Sequence, residues 1–206
     1  DMKKLIIILL ITFYFKGYTQ TPIIDIYSDY DGRNSGAYYK DVNGLLNKFE
    51  GTYVYQNGNQ RFKLILIKKE MQYNSRYYQD LIIGGYQYID ENGVELGNTL
   101  DNVSVVYPNQ IMHFISGYVL KKNNNRPICN DCFAGELRLS LSIVNPDKSG
   151  SATLIIRKMV SLEDGSESLK IYVTPQKSGN RSYIEGTEPP TIAPLVPSGE
   201  YILLKE

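Results

Sequence analysis

Cys129 and Cys132 are the two cysteines of this chain, set in the order Cys129-Asn130-Asp131-Cys132. Two thiols at this spacing can act as a redox pair, contribute half of a metal site, stay free, or close a local disulfide. Redox chemistry needs the first thiol at a helix N-terminus beside a βαβ sheet, where its pKa falls. Here the segment before the motif, 123–127, reads as a loop between strands. A structural zinc site needs four ligands, and the chain holds a single histidine, His113. A four-residue turn brings its outer Cα atoms within about 7 Å, inside bridging range. The plain expectation is a Cys129–Cys132 disulfide, with no metal site and no cofactor.

His113 also limits nucleophilic catalysis, because any Ser-His-Asp or Cys-His arrangement depends on it alone. Its neighbours in Met112-His113-Phe114 are apolar and predict an ordinary strand position. There is no Gly-x-Ser-x-Gly elbow and no glycine-rich loop ending in Gly-Lys-Ser or Gly-Lys-Thr. Asp29-Tyr30-Asp31-Gly32 hints at a calcium loop. Placing Gly32 sixth puts Tyr27 first and Tyr38 twelfth, where carboxylates are required, so the EF-hand reading fails. We expect a protein that is not an enzyme. A carboxylate-pair hydrolase, with two acids roughly 5 to 10 Å apart in a cleft, is the remaining catalytic alternative.

Tyrosine supplies the other constellation: the chain has 18 Tyr and no Trp. Tyr53 and Tyr55 alternate on one strand, Tyr86 and Tyr88 on another, and Tyr118 falls nearby. An aromatic wall with hydroxyl handles suits a small apolar or amphipathic ligand. The same residues can equally serve as core and cross-strand packing. Arg157, between Ile155 and Met159 on one strand face, is a candidate cation at a cavity or its rim.

Short strands must position these groups. Leu45, Leu46 and Phe49 share one face of a helical turn within 41–49. The period then changes to two. Strands are predicted over 52–56 and 61–69, joined by Asn57-Gly58-Asn59, whose residues tolerate positive φ. Another covers 77–90, with a bulge or bend at Gly84-Gly85, and ends at the turn Asp90-Glu91-Asn92-Gly93. Further strands are expected over 103–107, 112–121, 136–144, 152–161, 168–174 and 200–205. In 136–144, Leu137, Leu139, Leu141 and Ile143 point one way while Arg138, Ser140 and Ser142 point the other. Two longer loops, 122–135 and 175–199, interrupt the hairpins. The fold class is all-β: an antiparallel up-and-down barrel or closed sandwich with a short N-terminal helical turn.

Ahead of this lies a segment of different character. Met2-Lys3-Lys4, an apolar run over 5–15 and the small and polar Gly17-Tyr18-Thr19-Gln20 read as a secretory signal. The run is about 11 residues, against roughly 20 for a spanning helix. The division expected is a signal peptide over 1–19, an extended lead-in over 20–44 and a single barrel domain over 45–206. The product is then exported, to periplasm or extracellular space, where disulfides persist. Removing Lys3, Lys4, Lys16 and Asp1 from 22 basic and 22 acidic residues leaves 19 and 21. That balance offers no clustered positive face for nucleic acid, and no membrane span remains after the signal is removed.

At Phe49-Glu50-Gly51-Thr52-Tyr53 the chain resembles the opening of a lipocalin-type (calycin) barrel, with Tyr53 where that superfamily has Trp. The resemblance implies a lipocalin-like barrel holding a small ligand. The chain also resembles a group of uncharacterised exported proteins of Bacteroidetes-type bacteria, through 49–69 and the ending Pro197-Ser198-Gly199-Glu200-Tyr201-Ile202-Leu203. That resemblance implies export and this fold, and no chemistry. The expected function is an exported binding module for a small apolar or amphipathic ligand. The alternative is a non-catalytic structural or protein-interaction component of the cell envelope.

Overall fold

Alternation decides which side of each strand faces inward. In Gln60–Tyr73, Phe62, Leu64 and Leu66 are fully buried, while the intervening Lys63 and Ile65 are partly exposed. Leu139, Leu141 and Ile143 repeat the pattern, as do Leu169, Ile171 and Val173. Each such side chain removed from water contributes about 1.5–3 kcal/mol, so the apolar faces of successive ribbons are driven onto one interior.

In the computed structural model, residues 21–28, 33–175 and 195–206 are described. The expected signal segment 1–19, the Asp29-Tyr30-Asp31-Gly32 motif and most of the 175–199 loop lie outside them. The strands are β1 (Ile23–Asp25), β2 (Tyr38–Lys40), β3 (Gly51–Asn57), β4 (Gln60–Tyr73), β5 (Tyr78–Ile89), β6 (Glu95–Asn98), β7 (Ile115–Lys121), β8 (Arg138–Val144), β9 (Ser151–Val160), β10 (Glu167–Pro175) and β11 (Gly199–Lys205). With β6 set aside, β3 to β11 follow one another as antiparallel neighbours. β11 returns to β3 with Leu204 opposite Val54 and Lys205 opposite Tyr53. The result is all-β, a closed antiparallel barrel of eight strands, as the periodicity predicts. Among the described residues no helix is long and apolar enough to cross a membrane.

The outer edge of β5 is shared by three partners in turn. β2 lies beside Tyr78 and Gln79, β7 beside Ile82 to Gly84, and β6 beside Gln87 to Ile89. β7 leaves β5 at Gly117, where a register shift against β8 separates Ser116 from Val119. The lead-in takes the vacated edge as two parallel strands, β1 on β2 and β2 on β5.

Asp80 and Asp41 stitch the lead-in down. Asp80 Oδ1 accepts from Tyr38 Oη at 2.6 Å and Met71 N at 2.9 Å, and its Oδ2 accepts from Asp41 N at 2.9 Å. Asp41 accepts from Leu45 N and Leu46 N and sits 3.2 Å from Lys68 Nζ. The Met71 bond holds a left-handed residue, φ 50°, in the β4 bulge between Lys69 and Gln72. Burial depresses the Lys68 ammonium, but the Asp41 carboxylate outweighs it and the net shift is upward.

Some local expectations differ from the structure. The strand expected over 103–107 is instead a 3-10 turn, Leu100–Ser104. Gly84 and Gly85 pair regularly with Leu66 and Ile65 and form no bulge. A Cβ on Gly85 would lie 2.5 Å from Thr99 O and 2.6 Å from Val103 Cγ2, so this glycine lets the turn seat on the barrel wall. His113 caps the 3-10 turn Gln110–Met112 and is not in a strand. β1, β2 and β6 carry too few residues for periodicity to reveal them.

Asp80→Ala leaves the Tyr38, Met71 and Asp41 donors without their acceptor. We expect a loss of roughly 3 kcal/mol or more in urea unfolding, at about 1–3 kcal/mol per buried orphan. Hydrogen exchange of the 38–40 amides should rise with it. An unchanged urea midpoint would mean the lead-in is not fastened through Asp80.

Candidate functional site

The tyrosines are the first place to look. Tyr53, Tyr86 and Tyr88 are fully buried, and Tyr55 and Tyr118 pack partly buried against them. Phe62 meets Tyr86, Tyr88 and Tyr201 edge to face at 6.5, 6.1 and 5.5 Å, and Tyr55 meets Tyr201 at 5.2 Å. The hydroxyls reach polar partners near the barrel ends. Tyr53 Oη donates to Glu50 O at 3.0 Å, Tyr86 Oη donates to Val144 O at 3.2 Å, and Tyr88 Oη accepts from Gln60 Nε2 at 2.7 Å. Burial pushes the Tyr53 phenol up to about 12, and Tyr86 upward too, so both stay neutral. Tyr118 has another setting: with Tyr39 and Tyr77 it surrounds the Arg33 guanidinium, whose Cζ lies 5.2, 4.3 and 5.6 Å from the three rings.

Arg157 lies elsewhere, on the outer wall. β9 and β10 pair Arg157 with Lys170 and Ile155 with Tyr172, so two cations and two apolar side chains share one outward patch. Arg138, one strand away on β8, also points outward. Two like charges in direct register repel unless anions come between them. The loop from Lys122 to Leu137 folds back and supplies those anions. Glu136 takes Arg157 Nε at 2.6 Å and Nη2 at 3.1 Å. Asp131 takes Arg157 Nη1 at 2.9 Å and lies 3.5 Å from Lys170 Nζ. Arg157 Nη2 donates also to the Asp131 carbonyl at 3.0 Å. Glu200 on β11 is 3.1 Å from Lys170 Nζ.

Cys129 and Cys132 are bonded, with Cα atoms 5.4 Å apart, and their ring carries Asp131. The ring therefore presents its acid to the barrel wall. Between loop and wall lies a pocket of about 310 Å³. Its apolar lining is Pro127, Ile128, Ile155 and Tyr172, with Arg138, Arg157, Lys170, Asp131, Glu200 and Cys129 around them. That volume is at the lower end of small-ligand sites.

Of the residues that sequence reasoning singled out, Arg157 and Cys129 line this pocket, and the five tyrosines do not. Arg138, Ile155, Lys170, Tyr172 and Glu200 were not singled out. Strand alternation places all of them on the outer face, but no local signal announces the loop that covers them. His113 is buried away from this pocket, its Nε2 3.0 Å from Gln110 Oε1. Burial, and then the charge of Lys69, lower its pKa. The sulfurs and Asp131 are the one cluster among the described residues with metal-ligand spacing. The disulfide occupies both sulfurs.

The chain belongs to a family of unknown function, DUF6705, whose profile matches residues 2–206. No curated protein and no solved structure matches it.

Two outcomes follow from the clamp. A thiol reagent should leave Cys129 and Cys132 unmodified without prior reduction. Reduction should cost the barrel at most about 2 kcal/mol, since the closed ring is short; labelling of the unreduced protein would refute the bond. Burial raises the Glu136 carboxyl, but the Arg157 bond outweighs it and holds it below its ordinary value. A depressed carboxylate contributes stability above the ordinary value of about 4.3 and loses it as pH falls through the depressed one. Loop amide protection, corrected for intrinsic exchange, should therefore fall on acidification below about pH 4, and Glu136→Gln should shrink that step to the part due to Asp131. An identical step in the variant would exclude Glu136.

Proposed function

We propose that this protein is an exported, non-catalytic binding module that holds a small amphipathic ligand in the outer-wall pocket beneath its disulfide loop. The single observation carrying this reading is that pocket itself: apolar walls from two strands, charged groups at set positions, and a roof fixed by a covalent ring and an arginine clamp. Fixing both walls in advance lowers the ordering cost of binding. The disulfide supports an oxidising address, in line with the leader at 1–19 and with the resemblance to exported Bacteroidetes-type proteins. The lipocalin-type start at 49–53 supports a ligand-binding role, while the packing of Tyr53, Tyr86 and Tyr88 moves the candidate site from the interior to the wall.

One observation favours the alternative, a protein-interaction component of the envelope. The same braced loop displays Ile128 at 65% and Phe133 at 79% exposure. Rigid, exposed apolar side chains are typical anchors for a partner protein.

Amide shifts in two-dimensional NMR separate these readings. Small amphipathic fragments are expected to perturb Ile128, Ile155 and Tyr172, and the half-exposed Tyr172→Ser should weaken binding about tenfold (~1.4 kcal/mol) without moving the thermal midpoint. Perturbation of Tyr53, Tyr55, Tyr86 and Tyr88 instead would return the ligand to the interior. Failure of every fragment, together with a co-purifying protein lost in Phe133→Ser, would favour the interaction role.

A further inference from the structure

We infer that the pocket selects an anion: its ligand carries a carboxylate on a flat apolar body, and Arg138 is the residue that sets this preference. The inference rests on the pocket reading above and adds the ligand's chemical class.

The argument is one of charge placement. Three cations line the pocket: Arg138, Arg157 and Lys170. Three carboxylates stand close by, and all are engaged elsewhere. Glu136 and Asp131 hold Arg157, while Asp131 and Glu200 hold Lys170. Arg138 has no carboxylate at ion-pair distance among the described residues. It is 4% exposed. Its Nη2 donates to Lys122 O at 3.0 Å and Asn125 O at 2.9 Å, and its buried Nε has no hydrogen-bond partner. Burial lowers its pKa, with Glu136 and Asp131 opposing from a distance and Arg157 adding to the fall. A guanidinium nonetheless stays charged throughout the working range.

A buried charge met only by carbonyls is costly unless an anion completes it. In a half-enclosed site the attraction is stronger than in water, because the effective dielectric is lower. The Nε is covered, so Arg138 acts through its charge at the pocket floor. Around that floor, Pro127, Ile128, Ile155 and Tyr172 offer apolar contacts, and Tyr172 offers a ring face. The cavity of about 310 Å³ has the volume of about ten waters at roughly 30 Å³ each. A single ring bearing a short carboxylate arm fits that size.

Phenylacetate, its neutral isostere phenylacetamide and the cation phenethylamine test this on the intact, disulfide-bonded protein. NMR titration at neutral pH and low salt reads shifts at Ile155 and Tyr172. Phenylacetate should bind about tenfold more tightly than the amide, and the amine should bind most weakly. Arg138→Met should remove the gap between acid and amide. Because Arg138 is buried, Glu200→Gln provides a second variant at an exposed position. It leaves Lys170 with Asp131 alone and should widen the gap. Equal binding of acid and amide, or preference for the amine, overturns the anion assignment while leaving the pocket reading intact. No shift at Ile155 or Tyr172 with any of the three probes overturns both.

Discussion

Phe62 is the residue around which the interior closes. It stands on β4 with Tyr86, Tyr88 and Tyr201 turned edge-on towards it from β5 and β11. Edge-to-face contacts of this kind add about 0.5–1.5 kcal/mol each beyond the area they bury. They also use the space that an aromatic wall would otherwise offer a guest. Once these rings face each other, the space beside Phe62 is taken up by the protein's own side chains. Tyrosine suits the task better than phenylalanine because each hydroxyl can reach past the apolar layer, as Tyr86 Oη does to Val144 O and Tyr201 Oη to Pro197 O.

Closing the barrel leaves two places on the wall where polar groups need partners, and loop segments meet both. At the β5 edge, β7 departs after Gly117 and the backbone of Tyr78 and Gln79 would be left open; β2 pairs with it, and Asp80 fixes β2. On the opposite side, Arg157 and Lys170 face each other in register, and the disulfide loop brings Asp131 and Glu136 to them. The first repair serves the fold and involves fully buried groups. The second leaves space beneath the loop, the pocket to which the proposed ligand is assigned.

The sequence makes the barrel legible and the site only partly so. Burial alternates over 62–66, 139–143 and 169–173 because one face of each strand meets the interior, and in 139–143 period two survives in the residue types. Asn57-Gly58-Asn59 is equally readable, since Gly58 takes φ 59° in the hairpin. The stretch 100–114 misleads because Val103, Val105, Val106 and Tyr107 have strand-forming side chains, yet Val103 is used to seat a 3-10 turn on Gly85. Tertiary contact overrides propensity there. The pocket depends on a loop folding across strands β8 to β11. No local pattern encodes that contact; the local cues are the outward positions of Arg138, Arg157 and Lys170 and the acids at Asp131 and Glu136.

Arg157 and Arg138 show why similar residues on neighbouring strands take different roles. Arg157 has 12% of its side chain exposed and engages Glu136, itself 16% exposed, through two nitrogens. A partly buried, two-point pair fixes geometry well, whereas the more exposed Asp131 contact adds little energy by itself. Its value is positional: Asp131 joins the disulfide ring to both β9 and β10. Arg157 is thus spent on holding the loop. Arg138 is more deeply covered, yet its only described partners are carbonyl oxygens, which soften its charge and do not cancel it. The clamp must exist for the pocket to have a roof, and the roof must cover Arg138 for its charge to be felt in a low dielectric. In the proposed pocket, selectivity at the second arginine therefore depends on neutralisation of the first.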